Sequence, residues 1–324
     1  MTFRTALEDA AASGRPLLLD AAMGTELARR GADTAPPLWS ARALRDAPDL
    51  VRTIHAENVA AGADVLTANT FRLHSRNREG EGAGFFPEGN RATGGRNPVA
   101  LAVGLARDAA RGSGRPVAVA GSLAPLADCY RPDLVPSRAE LDREHRETAE
   151  ALAAAECDLI LVETMNAVRE LVAAVRAALA TGLPVVASMV TDGAGRLLSG
   201  EPVAEAARAL LALPVLPAAL GVNCVPARVI ARDLASLREA APGVPLGVYA
   251  NTGRALDEAR GLYTEPVEAD AYAALAATWL AGGGIALLGS CCGTTAAHTA
   301  ALRALLDARE MGGPGGANPA LPPG

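Results

Sequence analysis

Residues 289–302 read GSCCGTTAAHTAAL, and the adjacent thiols of Cys291 and Cys292 invite a chemical explanation. Neighbouring cysteines pack awkwardly and make a strained disulfide. A third thiol, Cys224, closes the segment GVNC at 221–224. Zinc in catalytic sites commonly keeps three protein ligands and one open position. Three thiolates leave Zn2+ with a net charge of about −1, a centre better suited to holding a further thiol as thiolate than to activating water. Any single cysteine can equally be a small buried hydrophobe. That reading suits Cys129, in ADCYRP, and Cys157, in AAECDLILV. Five cysteines in all, an odd number without an apparent export signal, fit a reducing and therefore cytoplasmic setting.

Whether the three thiols can meet depends on the elements that carry them. Short Leu- or Val-rich runs recur at 16–24, 63–71, 116–125, 158–166, 184–193, 218–226, 245–253 and 284–294. Each ends in a small or polar residue. Ala-rich stretches of helical spacing intervene, among them 49–63, 167–182, 202–213 and 268–283. Continuous apolar strands alternating with helices imply a parallel sheet buried on both faces. Eight such units predict a (β/α)8 TIM barrel in one domain over 1–310. No GxGxxG follows the first strand, which removes the usual argument for a dinucleotide fold. Active sites of such barrels gather at the C-terminal ends of the strands. Those ends hold Asp20, Asn69, Ser122, Glu163, Ser188, Cys224, Tyr249 with Asn251, and Cys291 with Cys292. Strands six and eight are near neighbours, so Cys224 is expected to approach the pair. Because side chains alternate along a strand, Cys291 and Cys292 can both ligate one metal only if the pair lies just past theirs, where the backbone turns.

The bulk composition agrees with an enzyme core. Half of the 324 residues are hydrophobic and only 3% aromatic, so the core is aliphatic. The formal charge of −6 and the lack of a basic stripe argue against nucleic acid. No apolar run reaches the roughly 18–20 residues of a membrane span. Residues 72–97 are polar and Gly-rich and read as a long loop after the second strand, with a lid as the working expectation. The tail 311–324 is Pro- and Gly-rich and is expected to be disordered.

From about residue 16 to 306 the sequence resembles the homocysteine S-methyltransferase family. The resemblance rests on LLLDAAMGTELARRG, LWSARAL, AGADVLTANTFRLH, GSLAPL, LILVETMN, GVNC, VYANTGR and GSCCGTTAAHTAAL. It implies that Cys224, Cys291 and Cys292 ligate a catalytic Zn2+. It further implies that Glu163 holds the amino group of L-homocysteine, that Asp20 lines the site, and that Asn223 orients the cysteine loop. Ser188, Tyr249 and Asn251 are expected as rim contacts. Ala21 stands where the family usually has Gly, and Ser290 where Gly is frequent.

The reaction implied is methyl transfer from a sulfonium donor, S-methylmethionine or S-adenosylmethionine, to the homocysteine thiolate, giving methionine. Betaine-type or corrinoid-dependent transfer is the alternative within the class. A non-catalytic zinc-binding or redox-sensing barrel, with a vicinal disulfide at 291–292, is the alternative outside it. Tyr249, Trp39 and Phe71 are the aromatics available to a donor cation. His55 and His298 are expected in solvated or satisfied structural roles, His145 on a solvated face and His74 in a loop. The oligomeric state is not legible.

Overall fold

The computed structural model describes residues 2–79, 97–253, 255–257, 262–264 and 266–311. Ten strands are present among them: β1 Leu17–Leu18, β2 Val65–Ala68, β3 Ala118–Leu123, β4 Leu159–Met165, β5 Val185–Met189, β6 Ala219–Pro226, β7 Leu246–Asn251, β8 Ala255–Asp257, β9 Leu262–Thr264 and β10 Ile285–Ser290. β8 and β9 form a separate antiparallel ribbon. The other eight form one parallel sheet in the order β1-β10-β7-β6-β5-β4-β3-β2. A parallel bridge between Leu19 and Val65 joins its two ends. Asp20 N–H donates to the Val65 carbonyl at 3.0 Å and Asp64 N–H to the Leu18 carbonyl at 2.7 Å, which closes the barrel. The chain is thus a (β/α)8 TIM barrel. The first strand is far shorter than the apolar run 16–24 suggests, because the chain leaves the ladder at Asp20.

Alternation along the strands sorts the core into two sets. Leu159, Leu161, Val186, Ala120, Ala219 and Leu287 belong to a cluster inside the barrel, with Leu7 and Ala10 of helix Phe3–Ser13 packed against it. Ile160, Val162, Val185, Ala187, Leu220 and Val222 belong to the larger cluster between sheet and helices. Continuing the inward set by steps of two along β3, β4 and β5 leads from aliphatic residues to Ser122, Glu163 and Ser188. The polar residues of the site therefore stand directly on an aliphatic floor.

The helices begin and end on chemical signals. Helix Arg138–Ala154 opens with a capping box, Ser137 and Glu140 each satisfying the other's backbone N–H. Helix Pro98–Arg111 starts on proline, with Asn97 capping Val99 N–H. The expected long loop at 72–97 begins with a short helix, Ser75–Glu79, and 80–96 lie outside the described residues. So does the tail from 312 onward. Among the described residues no helix is long and apolar enough to cross a membrane.

Candidate active site

Two irregularities in the ladder shape the site. Between β4 and β5 the pairing runs Val162↔Ala187 and then Met165↔Met189, so β4 spends one extra residue. Between β6 and β7 it runs Asn223↔Tyr249 and then Pro226↔Asn251, again with one extra on β6. Such bulges re-aim side chains at barrel rims. Each contains a non-glycine residue in the left-handed region, Thr164 at φ 60 and Cys224 at φ 53. Residues with a Cβ enter that region at a cost of order 1–3 kcal/mol and persist only where surroundings hold them. Asn223 supplies the hold: its Oδ1 accepts from Thr164 N–H at 2.9 Å and its Nδ2 donates to Thr164 Oγ1 at 2.8 Å. Asn251 Nδ2 donates to the Cys224 carbonyl at 2.8 Å.

Cys291 and Cys292 follow β10 directly, in the turn that alternation requires. Cys291 N–H still donates to the Ala250 carbonyl at 2.7 Å, and Thr252 N–H to the Cys292 carbonyl at 3.1 Å. Gly293 then turns at φ 82, its N–H donating to Thr25 Oγ1 at 2.9 Å, and Thr294 Oγ1 donates back to the Cys291 carbonyl at 2.6 Å. Tyr272 pins the two strands just before this turn, its hydroxyl donating to the Gly289 carbonyl at 3.1 Å and accepting from Ala250 N–H at 3.0 Å.

These constraints bring the three sulfurs within 4.8 Å of one another, across the one strand that separates β6 from β10. Cys224 Sγ lies 3.4 Å from Cys292 Sγ, and Cys291 Sγ 3.9 Å from Cys292 Sγ. All five cysteines are free. Hydrogen bonding from the Cys291 and Cys292 thiols holds Cys224 well below the usual thiol range, against the effect of its burial. Sharing with Cys224 pushes the other two well up. Tyr130, from the loop after β3, adds a hydroxyl 3.2 Å from Cys224 Sγ.

The carboxyls stand beside this cluster. Asp20 Oδ2 accepts from Thr67 N–H and Oδ1 from Thr67 Oγ1, both at 2.9 Å. Ser122 Oγ donates to Glu163 Oε1. Burial pushes Glu163 up to about 8 and Asp20 to about 7. The Ser122 hydroxyl opposes the first shift and Thr67 the second, while the Cys224 and Asp20 charges add to that of Glu163. The hydroxyls of Ser188 and Tyr249 are buried; the Ser188 hydroxyl opposes the upward shift of the Tyr249 phenol, and Tyr249 opposes that of Glu163. Both belong to the interior of the barrel, Tyr249 only 2% exposed, and not to the rim where the sequence suggested them. Burial, followed by the Glu163 charge, pushes the Tyr249 phenol well up.

Several residues depart from expectation. His145 is buried, not solvated, with Nε2 3.2 Å from Glu170 Oε1, which also accepts from Leu126 N–H. That contact anchors the start of the loop carrying Cys129 and Tyr130. His74 lies in a loop as expected, just before helix Ser75–Glu79, and is buried there. His55 is buried and neither ring nitrogen makes a hydrogen bond, so it is neither solvated nor satisfied. His298 is satisfied, with Nε2 3.0 Å from the Val267 carbonyl. Cys129 and Cys157 are buried, and burial raises both thiols. Asn69 donates to the Ser40 carbonyl. Trp39 and Phe71 meet edge to face at 5.8 Å, and Arg72 already stacks on Phe71 at 5.3 Å. Ala21 is buried with its N–H on Asn58 Oδ1, and its backbone is not among those with positive φ. The site needs no glycine there for backbone reasons. Sequence reasoning missed Thr164, Tyr130 and Tyr272. All three act only through tertiary contact, and no local pattern announces them.

An eight-stranded α/β barrel with a partly buried three-thiol cluster and two carboxyls at the C-terminal strand ends defines the general class. The homocysteine S-methyltransferase family profile matches residues 17–306, and the chain belongs to that family. It is 32% identical over 303 residues to the homocysteine S-methyltransferase of Escherichia coli (strain K12), covering 89% of this chain and 94% of that one. To the homocysteine S-methyltransferase YbgG of Bacillus subtilis (strain 168) it is 30% identical over 297 residues, covering 86% and 90%. The crystal structure of the metallated homocysteine methyltransferase MmuM from Escherichia coli superposes with a TM-score of 0.73 at 30% identity, covering 89% of this chain and 96% of that one. The chain is a methyltransferase enzyme, and its family membership supports homocysteine as the methyl acceptor.

Proposed function

We propose that the protein transfers a methyl group from a sulfonium donor, S-methylmethionine or S-adenosylmethionine, to L-homocysteine, and that Cys224, Cys291 and Cys292 hold the zinc ion this requires. The observation that carries the reading is the meeting of three sulfurs within 4.8 Å at the barrel end that also holds Glu163 and Asp20. The donor set fits zinc. Tetrahedral bonds of about 2.3 Å place sulfur ligands roughly 3.8 Å apart, and the observed separations of 3.4 and 3.9 Å lie close to that edge. Thiolates also favour zinc over the hard cations that carboxylates select.

Zinc held by three thiolates supplies the acidity that turns an incoming thiol into a thiolate at neutral pH. The chain's own residues do the rest. Glu163 and Asp20 receive the amino group of homocysteine, with Ser122 and Thr67 fixing the two carboxyls. Asn223 orients Cys224 through the bulge it bridges. The buried hydroxyls of Ser188 and Tyr249 meet polar groups of the substrate in this reading. The aliphatic floor excludes water, and the barrel holds both reactants in line. The acceptor sulfur attacks the donor's methyl carbon, the methyl–sulfur bond of the sulfonium breaks, and its electron pair leaves on a neutral sulfide. No general acid is needed, because the leaving group departs uncharged.

The test is methionine formation from L-homocysteine by reduced, zinc-loaded protein with S-methylmethionine as sole donor. Turnover establishes acceptor and donor class together. Absence of turnover with that donor and with S-adenosylmethionine, while homocysteine still binds, overturns the sulfonium assignment and leaves betaine-type or corrinoid donors.

A further inference from the structure

The imidazole of His55 has no role in the chemistry so far. It sits on helix Pro48–Ala60, buried, with both ring nitrogens lacking a hydrogen bond. A buried polar group without a partner is destabilising, so an unengaged histidine is an expensive way to fill space. Its Nδ1 lies 3.9 Å from Asp20 Oδ2.

The charged groups of the surrounding elements are committed elsewhere. Glu57 and Glu26 pair with Arg30. On helix Pro98–Arg111, Arg107 pairs with Asp158 and Arg111 with Asp108. On helix Ala296–Met311, Arg303 reaches Asp64 and Asp307. Asp20 is thus the titratable group that faces the ring, and Glu163 shares its end of the barrel.

We propose that His55 is a positioning residue for Asp20, taking the carboxyl proton when the substrate's ammonium group arrives. The inference rests on the reading of Asp20 as part of the amine clamp. In the proposed resting state the carboxyl carries its proton, which its burial favours, and the imidazole is neutral with Nδ1 unprotonated. When the ammonium enters, the Oδ2–H bond of Asp20 breaks and an Nδ1–H bond forms on His55. Asp20 becomes an anion facing the ammonium on one side and an imidazolium on the other. The transfer leaves the net charge of the site unchanged: it gives the ammonium a carboxylate neighbour at Asp20 while the proton stays inside the water-poor interior on the imidazole. The separate low proton affinity of the buried ring, brought to about 4 by desolvation, keeps it neutral until that cation arrives.

The experiment uses zinc-loaded wild-type protein labelled with 15N-histidine, observed by NMR at neutral pH. The chain has four histidines, and His55→Gln or His55→Asn identifies the signal. L-homocysteine is expected to convert one neutral histidine to the doubly protonated form, and that signal is absent from the variant. The amine-free analogue 4-mercaptobutanoate is expected to bind through its thiol without converting it. The proposal is overturned if homocysteine binds and no histidine changes, if the changing signal survives in the variant, or if the analogue produces the same change. Failure of homocysteine to bind at all overturns the amine-clamp reading itself, a result distinct from the others.

Discussion

Replacing Asn223 with Ala tests whether the bulge on β6 is held by the side chain that bridges it. The substitution removes both hydrogen bonds to Thr164, at 2.9 and 2.8 Å. Asn223 and Thr164 are buried, so water cannot substitute at either atom without entering the barrel. An orphaned backbone N–H costs about 1–3 kcal/mol and a lost neutral hydroxyl bond about 1 kcal/mol, giving a loss of roughly 2–4 kcal/mol. Thr164→Ala removes only the hydroxyl contact and should cost about 1 kcal/mol beyond its lost methyl burial. The pair should therefore be strongly coupled in a double-mutant cycle. Urea unfolding of the metal-free proteins measures the stability loss, and zinc competition with a chromogenic chelator measures the effect on the cysteine cluster. Zinc affinity should fall in Asn223→Ala, because Cys224 is released from its left-handed backbone. Wild-type stability and wild-type zinc affinity in Asn223→Ala would refute the argument that this side chain holds the site.

Other outcomes follow from the same geometry. Cys224→Ser should abolish stoichiometric zinc, measured by atomic emission on protein purified under reductant, whereas wild type should retain about one ion per chain. Tyr130→Phe should slow iodoacetamide labelling of metal-free protein at neutral pH a few-fold, because the phenol helps keep Cys224 a thiolate; faster labelling would contradict that role. Glu163, raised from 4.5 to about 8, keeps its proton in the folded metal-free protein where the unfolded chain has released it. The native state then binds more protons, so this group's contribution to stability falls as pH rises between those values. Glu163→Gln should flatten the fall in a pH series of urea midpoints, and an unchanged slope would show that the carboxyl is not buried as described.

The barrel was legible because its strands are buried on both faces and so appear as unbroken apolar runs. Their polar last residues gave Asp20, Glu163, Cys224 and the 291–292 pair as a single set. What stayed hidden depends on contacts between distant segments. A bulge adds one residue to a strand without altering its composition, so VETM and VNCV read as ordinary strand ends although Thr164 and Cys224 sit in the left-handed region. Tyr130 lies 94 positions from the thiol it touches. His145 occupies a highly charged stretch, yet it faces Glu170 across two helices. Charge density along a sequence does not say which side of a helix is covered.

The aliphatic interior bears directly on the proposed ammonium clamp. Glu163 and Asp20 rest on a floor of Leu, Val and Ala side chains, and their hydrogen-bond donors are hydroxyls and backbone amides, not guanidinium groups. Neutral donors soften the penalty of burying a carboxylate without removing it, so both acids hold their protons more tightly than in water. A cation delivered to that end reverses the balance, since it favours the charged form and finds acceptors with lone pairs to spare. The pocket should therefore discriminate against acceptors that lack the amine by more than one ordinary hydrogen bond, because such molecules leave the carboxyls protonated and the clamp unformed. Comparing zinc-dependent binding of L-homocysteine and 4-mercaptobutanoate by the loaded enzyme checks this. A gap well above tenfold is expected, since charged hydrogen bonds contribute about 1.5–3 kcal/mol each, and equal affinities would refute the clamp.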